Sequence, residues 1–146
     1  MAEWISPTSH SGTWYSNPTN AYDGDTGTYA TMTREASAYL HPATFISCSK
    51  IRVWASILNT TKADLTISVY YSGGYHELFD GQLSTYTDWV EIAIGSTQTV
   101  EHALIVSHSI VLPDCLHEFE FWKEADAPTF VYGDGALKAT RIFQRM

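Results

Sequence analysis

Charge is scarce in this chain. Asp, Glu, Lys and Arg make up 16% of its 146 residues, against about a quarter in an average globular domain. Positive charge is scarcer still: 8 Lys and Arg stand against 16 Asp and Glu, a net charge of -8. A surface built to hold a phosphate backbone needs a basic face, so nucleic-acid binding is excluded. No stretch approaches the roughly 20 apolar residues that cross a bilayer. The first residues, Met1 to Asn17, contain neither a basic n-region nor an apolar h-region, so no conventional signal peptide is expected. Cysteine occurs twice, at Cys48 and Cys115. That is too few for a zinc site, and two buried free thiols are expected rather than a disulfide.

Apolar and aromatic residues are present at 45% and 14%. Disorder is thereby excluded, because a disordered chain cannot bury enough apolar surface to offset its entropy. The absence of Ala, Glu, Lys, Leu and Arg dominance excludes a coiled coil. The length suits one domain with a real core.

The apolar pattern has a period of two. It runs through Lys50 to Trp54, Asp64 to Tyr70, Asp88 to Ile94 and Glu118 to Trp122, as in strands buried on one face. Ala103 to Val106 is continuously apolar, as in a central strand. Ser72-Gly73-Gly74 reads as a hairpin turn, and Asp80-Gly81, Gly95-Ser96 and Pro113-Asp114 read as further turns. No 11-residue window keeps a helical stripe. The expected fold is all-β, an antiparallel sandwich or jelly roll. Residues 7–35, rich in Ser, Thr, Asn, Gly and Pro, are expected to form one long loop region. Residues 124–146 read as a separate hairpin or arm: Thr129 to Tyr132, a Gly133-Asp134-Gly135 turn, then Ala136 to Phe143. Its end is basic, with Lys138, Arg141 and Arg145.

The most informative string is Asn20-Ala21-Tyr22-Asp23-Gly24-Asp25-Thr26-Gly27-Thr28-Tyr29. Two readings fit it. A hard cation such as Ca²⁺ takes six to eight oxygens from carboxylates, hydroxyls and backbone carbonyls, and the glycines let the backbone curl inward. An Asx-turn with solvated aspartates needs the same residues. The string is not an EF-hand, since the closing Glu is missing.

With the late strand His117-Glu118-Phe119-Glu120-Phe121-Trp122, this string resembles the discoidin, or F5/8 type C, family of galactose-binding-like domains. That family's early loop is similar to Ala-x-Asp-Gly-Asp-x-x-Thr-x-Trp. Ala21, Asp23, Gly24, Asp25 and Thr28 match in order, while Tyr29 comes one position early and no Trp closes the string. Glu118 to Phe121 match a Glu-apolar-Glu-apolar final strand. Ile51, Val53 and Thr66-Ile67-Ser68-Val69 match strands between. The resemblance covers about residues 3–123, so the expected division is a discoidin-like sandwich over 1–123 and an extension over 124–146. It implies a jelly roll in which a structural Ca²⁺ ties the early loop to the last strand. Asp23, Asp25 and Thr28 would supply oxygens, backbone carbonyls near Asn20 would add others, and Glu118 would close the site. The family's terminal disulfide is absent here.

No catalytic constellation stands out. Among the six histidines there is no His-Glu-x-x-His string, and there is no Gly-x-Ser-x-Gly elbow or phosphate loop. The expectation is a binding module, not an enzyme. Sugars take an aromatic face and polar side chains. Tyr75 and His76, at a hairpin tip, are the expected ligand residues. A domain of this type with no export signal suits the exterior of a phage particle, where it would bind cell-surface glycans. The alternative is a purely structural virion component working through protein contacts, with Phe130, Tyr132 and Phe143 of the arm packed on a neighbouring copy.

Overall fold

The computed structural model describes residues 2–125, with the backbone of residues 132–133 and 136–137. Its strands in chain order are β1 (Glu3–Ile5), β2 (Ser9–Gly12), β3 (Trp14–Ser16), β4 (Ala30–Met32), β5 (Ser37–His41), β6 (Ile46–Ser56), β7 (Asp64–Tyr71), β8 (Gly74–Gln82), β9 (Val90–Val100), β10 (His102–Ser107) and β11 (Cys115–Lys123). β12 (Tyr132–Gly133) and β13 (Ala136–Leu137) pair with each other. The remainder of the expected C-terminal hairpin lies outside the described residues.

Two antiparallel sheets face each other. One has the order β3-β4-β11-β6-β9, with β1 also on β11; the other has the order β2-β5-β10-β7-β8. The period-two pattern explains the arrangement. Ile51, Val53, Phe119 and Phe121 turn inward from the first sheet, and Leu40, Leu65, Ile67, Val69 and Ile105 from the second; all are 0% exposed. Burying each such side chain contributes about 1.5–3 kcal/mol. The antiparallel sandwich expected from the sequence is therefore the fold, and the apolar Ala103 to Val106 run is indeed central, between β5 and β7.

Several expectations are corrected. Residues 7–35 are not one loop: β2, β3, a short 3-10 helix (Pro18–Tyr22) and β4 lie within them. Their polar sequences show weak strand propensity, and pairing with β5 and β11 supplies the order instead. Asp80-Gly81 lies inside β8, and Gly95-Ser96 inside β9. Both glycines have positive φ. Gly95 falls where the β6–β9 register shifts, the mark of a bulge rather than a chain reversal. The Ser72-Gly73 turn is as expected: both residues have positive φ, as two-residue hairpin turns require.

The two thiols are free and buried. Burial pushes Cys48 up to about 11.

The outer face of the first sheet is covered by its own side chains. The Arg52 guanidinium lies 4.3 Å from the Trp4 ring centre and 4.0 Å from that of Trp89, and it pairs with Glu120. Lys50 lies over Trp122 at 5.1 Å and pairs with Glu91 at 2.9 Å.

Candidate functional site

Three places concentrate chemistry. The first joins the early acidic string to β11. The 3-10 helix packs on β11, and a β-bulge between Leu116 and Glu118 interrupts the register with β6. Around that bulge His117 and Glu118, both 1% exposed, meet the early loop. Gly24 N–H donates to Glu118 Oε2 at 2.9 Å. His117 Nδ1 donates to the Thr26 carbonyl at 2.7 Å, while its Nε2 meets Ser56 Oγ at 2.8 Å.

Within the loop, Asp25 N–H donates to Asp23 Oδ1 at 2.9 Å, Gly27 N–H donates to Asp25 Oδ1 at 2.7 Å, and the Thr28 hydroxyl donates to Asp23. These are Asx-turn contacts. Asn20 lies at the edge of the loop, its Nδ2 donating to the Tyr29 carbonyl at 3.1 Å.

The electrostatics are lopsided. Burial, then a hydrogen bond with Asp23, pushes Glu118 up to about 8. For Asp23, burial acts upward, but hydrogen bonds from Glu118, Thr28 and the Asp25 N–H outweigh it and hold the carboxyl low. Glu118 Oε1 is buried without a hydrogen-bond partner. Such an orphan costs on the order of 1–3 kcal/mol. Two carboxyls in contact need a shared proton or a cation between them. The oxygen-only donor set of this locus suits a hard cation. Among the described residues, however, no three acidic, His or Cys side chains converge closely enough to form a ready metal cluster.

The second place is the loop end of the sandwich. The β10–β11 connection exposes Ile110 (77%) and Val111 (90%), with Leu112 beside them. This apolar ridge separates two clefts. One, of about 420 Å³, has Ile57, Lys62, Asp64, Gln82 and His108 in its walls. The other, of about 310 Å³, has Tyr15, Met32, Thr33, Arg34 and Pro113. The ridge has a firm base. The buried Asp114 carboxylate accepts hydrogen bonds from Ser107 Oγ at 2.5 Å, Ser109 Oγ at 2.7 Å and Asp64 N–H at 3.2 Å.

The third place is the outer face of the second sheet. Tyr75, 45% exposed, meets His102 Nε2 through its hydroxyl at 2.7 Å, and its ring stands edge-on to Tyr70. Tyr70 stacks on His102, and His41 lies 5.1 Å beyond.

No family model and no curated protein matches the chain. Solved structures do. The chain is similar to CBM32-1 from a family 31 glycoside hydrolase of Clostridium perfringens, with a TM-score of 0.65 and 16% identity over 82% of this chain and 97% of that one. It is similar to the family 32 carbohydrate-binding module of C. perfringens NanJ, solved in complex with galactose, with a TM-score of 0.65 and 12% identity over 83% of this chain and 100% of that one. The CBM32 of AlyQ, solved in complex with 4,5-unsaturated mannuronic acid, gives a TM-score of 0.67 and 12% identity over 82% and 97%. The fold is galactose-binding-like.

On this galactose-binding-like frame the structure places Asp23 and Glu118 near each other, with Thr28 hydrogen-bonded to Asp23. Asp25 turns its Oδ1 to its own loop. Tyr75 and His76 are not brought together. As neighbours in a strand they alternate faces, and His76 stacks on Tyr71, with ring centres 3.7 Å apart. Tyr75 also lies far from the clefts. Tyr70, its partner, pairs with His102, whereas Leu65 near the cleft pairs with Ser107, about 17 Å further along the strands.

The ridge at residues 110–112 and the supporting roles of His117, Asp114 and His108 were missed by sequence reasoning. Pro113-Asp114 after three apolar residues was the one available signal, since an apolar run in a turn region has no core to enter.

Proposed function

We propose that the chain is a non-catalytic glycan-binding module that takes its ligand in the clefts beside Ile110 and Val111. The observation that carries this is the exposed apolar ridge flanked by polar walls, on a fold shared with carbohydrate-binding modules. A sugar ring has an apolar face and a hydroxyl rim. Ile110 and Val111 would meet the first, and Lys62, Asp64, Gln82 and Arg34 the second. Tyr75 remains a candidate for a separate, single-ring contact. His76 supports the hairpin through Tyr71.

The acidic locus has a structural role in this reading. Ca²⁺ held by Asp23, Asp25, Thr28, the backbone near Asn20 and Glu118 would satisfy the orphaned Glu118 oxygen and tie the early loop to β11.

The wider setting we favour is adhesion to cell-surface glycans at the exterior of a phage particle, with residues 124–146 as an arm between copies. It rests on sequence pattern: the aromatic residues and basic end of residues 124–146.

The test is an immobilised panel of neutral, amino and acidic sugars. Retention of at least one sugar, weakened about tenfold or more by Val111→Asp and unaffected by Tyr75→Ala, supports the cleft. Retention lost with Tyr75→Ala instead moves the site to the sheet face. A chain that assembles into trimers or larger species and retains no sugar is a structural subunit.

A further inference from the structure

From His108, in the wall of the larger cleft, runs a chain of four residues whose hydrogens can be counted. His108 Nδ1 is 2.7 Å from Glu35 Oε2, and its Nε2 is 2.5 Å from Thr66 Oγ1. Thr66 Oγ1 donates to Asp80 Oδ1 at 2.6 Å. A hydroxyl has one hydrogen, and an ionised carboxylate only accepts. With the Thr66 hydrogen directed at Asp80, its oxygen accepts from Nε2. Glu35 accepts from Nδ1. Both ring nitrogens therefore donate, and the ring is an imidazolium. The same count explains why this Thr-His-Glu alignment is not a nucleophile with its base: Nε2 has no lone pair left to take the Thr66 hydrogen.

We infer that His108 is a proton-operated clamp on the cleft. Its imidazolium ties Glu35, Thr66 of β7 and Asp80 of β8 to the start of the ridge loop, and loss of the proton opens that tie and weakens ligand uptake. The inference rests on the reading of this cleft as the ligand site.

The surroundings favour the charged ring. Glu35 and Asp80 face it from two sides, with Asp80 Oδ1 3.7 Å from Nε2. Asp64 adds a third negative charge from β7, and Lys62 lies in the wall of the same cleft. The hydrogen bond with Glu35 is the largest influence raising the ring above an ordinary histidine, and burial works against it.

The sign follows. A histidine raised in the folded state contributes stability that is complete below about 6.5 and is lost as pH rises through the folded value. Once the proton leaves, one nitrogen becomes an acceptor. Either Glu35 loses its donor, or Thr66 must turn its hydrogen to Nε2 and abandon Asp80. Asp114 still holds the base of the loop, so the change stays at the rim.

The decisive experiment is a nuclear magnetic resonance titration of the whole chain from pH 5.5 to 9. The expected result is that both His108 ring N–H groups are present at pH 6 and that the ring titrates above 6.5. The Glu35, Ser109 and Ile110 amides should follow with the same midpoint. His108→Gln should erase that midpoint from these amides, and Glu35→Gln should lower it. A ring that titrates at or below 6.5, a single ring N–H at pH 6, or amide shifts unchanged by His108→Gln overturns the clamp.

The sugar panel, run at pH 6 and at pH 8, separates the clamp from the reading beneath it. A retained sugar that binds several-fold more weakly at pH 8, with the difference gone in His108→Gln, supports regulation. Equal binding at both pH values overturns regulation and leaves the site standing. No retention at either pH overturns the glycan reading, and the ring titration then decides the clamp alone.

Discussion

Gly24 and Glu118 are 94 residues apart in sequence, yet the Gly24 N–H donates to Glu118 Oε2 at 2.9 Å. This contact closes the early loop onto a central strand. β11 lies between β4 and β6 rather than at an edge, so Glu118 is not the solvated edge residue its charge suggests. Its isolation from water raises its pKa.

Calcium should stabilise the fold through this locus. At free Ca²⁺ a hundredfold above Kd, mass action gives about 2.7 kcal/mol, or roughly 5–10 °C in Tm for a domain of this size. Melting with Ca²⁺ and with excess chelator measures the difference. Asp23→Asn should remove most of it. An unchanged difference in that variant would exclude Asp23 as a ligand.

Without calcium, the pH dependence should run opposite to that of most acidic proteins. Glu118 is raised to about 8 in the folded chain from an ordinary value near 4.3 in the unfolded one. Between those values the folded state holds a proton that the unfolded state has released. Stability therefore falls as pH rises through this window and levels off above about 8. Unfolding free energies from urea titrations in chelator at pH 5 and pH 8 should differ by a few kcal/mol at most. Glu118→Gln, which keeps the shape without the charge, should flatten the slope.

Arg52 should matter more than a surface cation. It is sandwiched between Trp4 and Trp89 and paired with a half-buried Glu120. Arg52→Ala removes two ring contacts and leaves Glu120 without its partner, at a cost of about 1–3 kcal/mol. Arg52→Lys should recover only part of this, because an ammonium lacks the planar fork that lies between two rings. Chemical denaturation of the three proteins orders them.

Gly12 should not tolerate a side chain. Its φ is +81°, and a Cβ there would lie 2.3 Å from the Ser37 carbonyl oxygen. Gly12→Ala must break the β2–β5 pairing or shift Ser37. Loss of slow amide exchange at Thr13, whose N–H donates to Ser37 O, would report it. Full retention of that protection would show that the edge absorbs the clash.

The alternating runs over Asp64 to Tyr70 and Glu118 to Trp122 determined the sandwich by themselves. A period-two pattern leaves an antiparallel strand only one face to bury. The acidic string likewise announced a tight loop, readable as an Asx-turn or as a cation site. Tertiary structure alone decided what those carboxylates face, because one bulge beside Glu118 sets where its side chain points, and no local pattern encodes a bulge. It also decided that Tyr75 and His76 part company and that Ile110 and Val111 stand in water between two clefts. Apolar side chains report that they seek burial. Whether any core lies within reach depends on how distant strands are ordered.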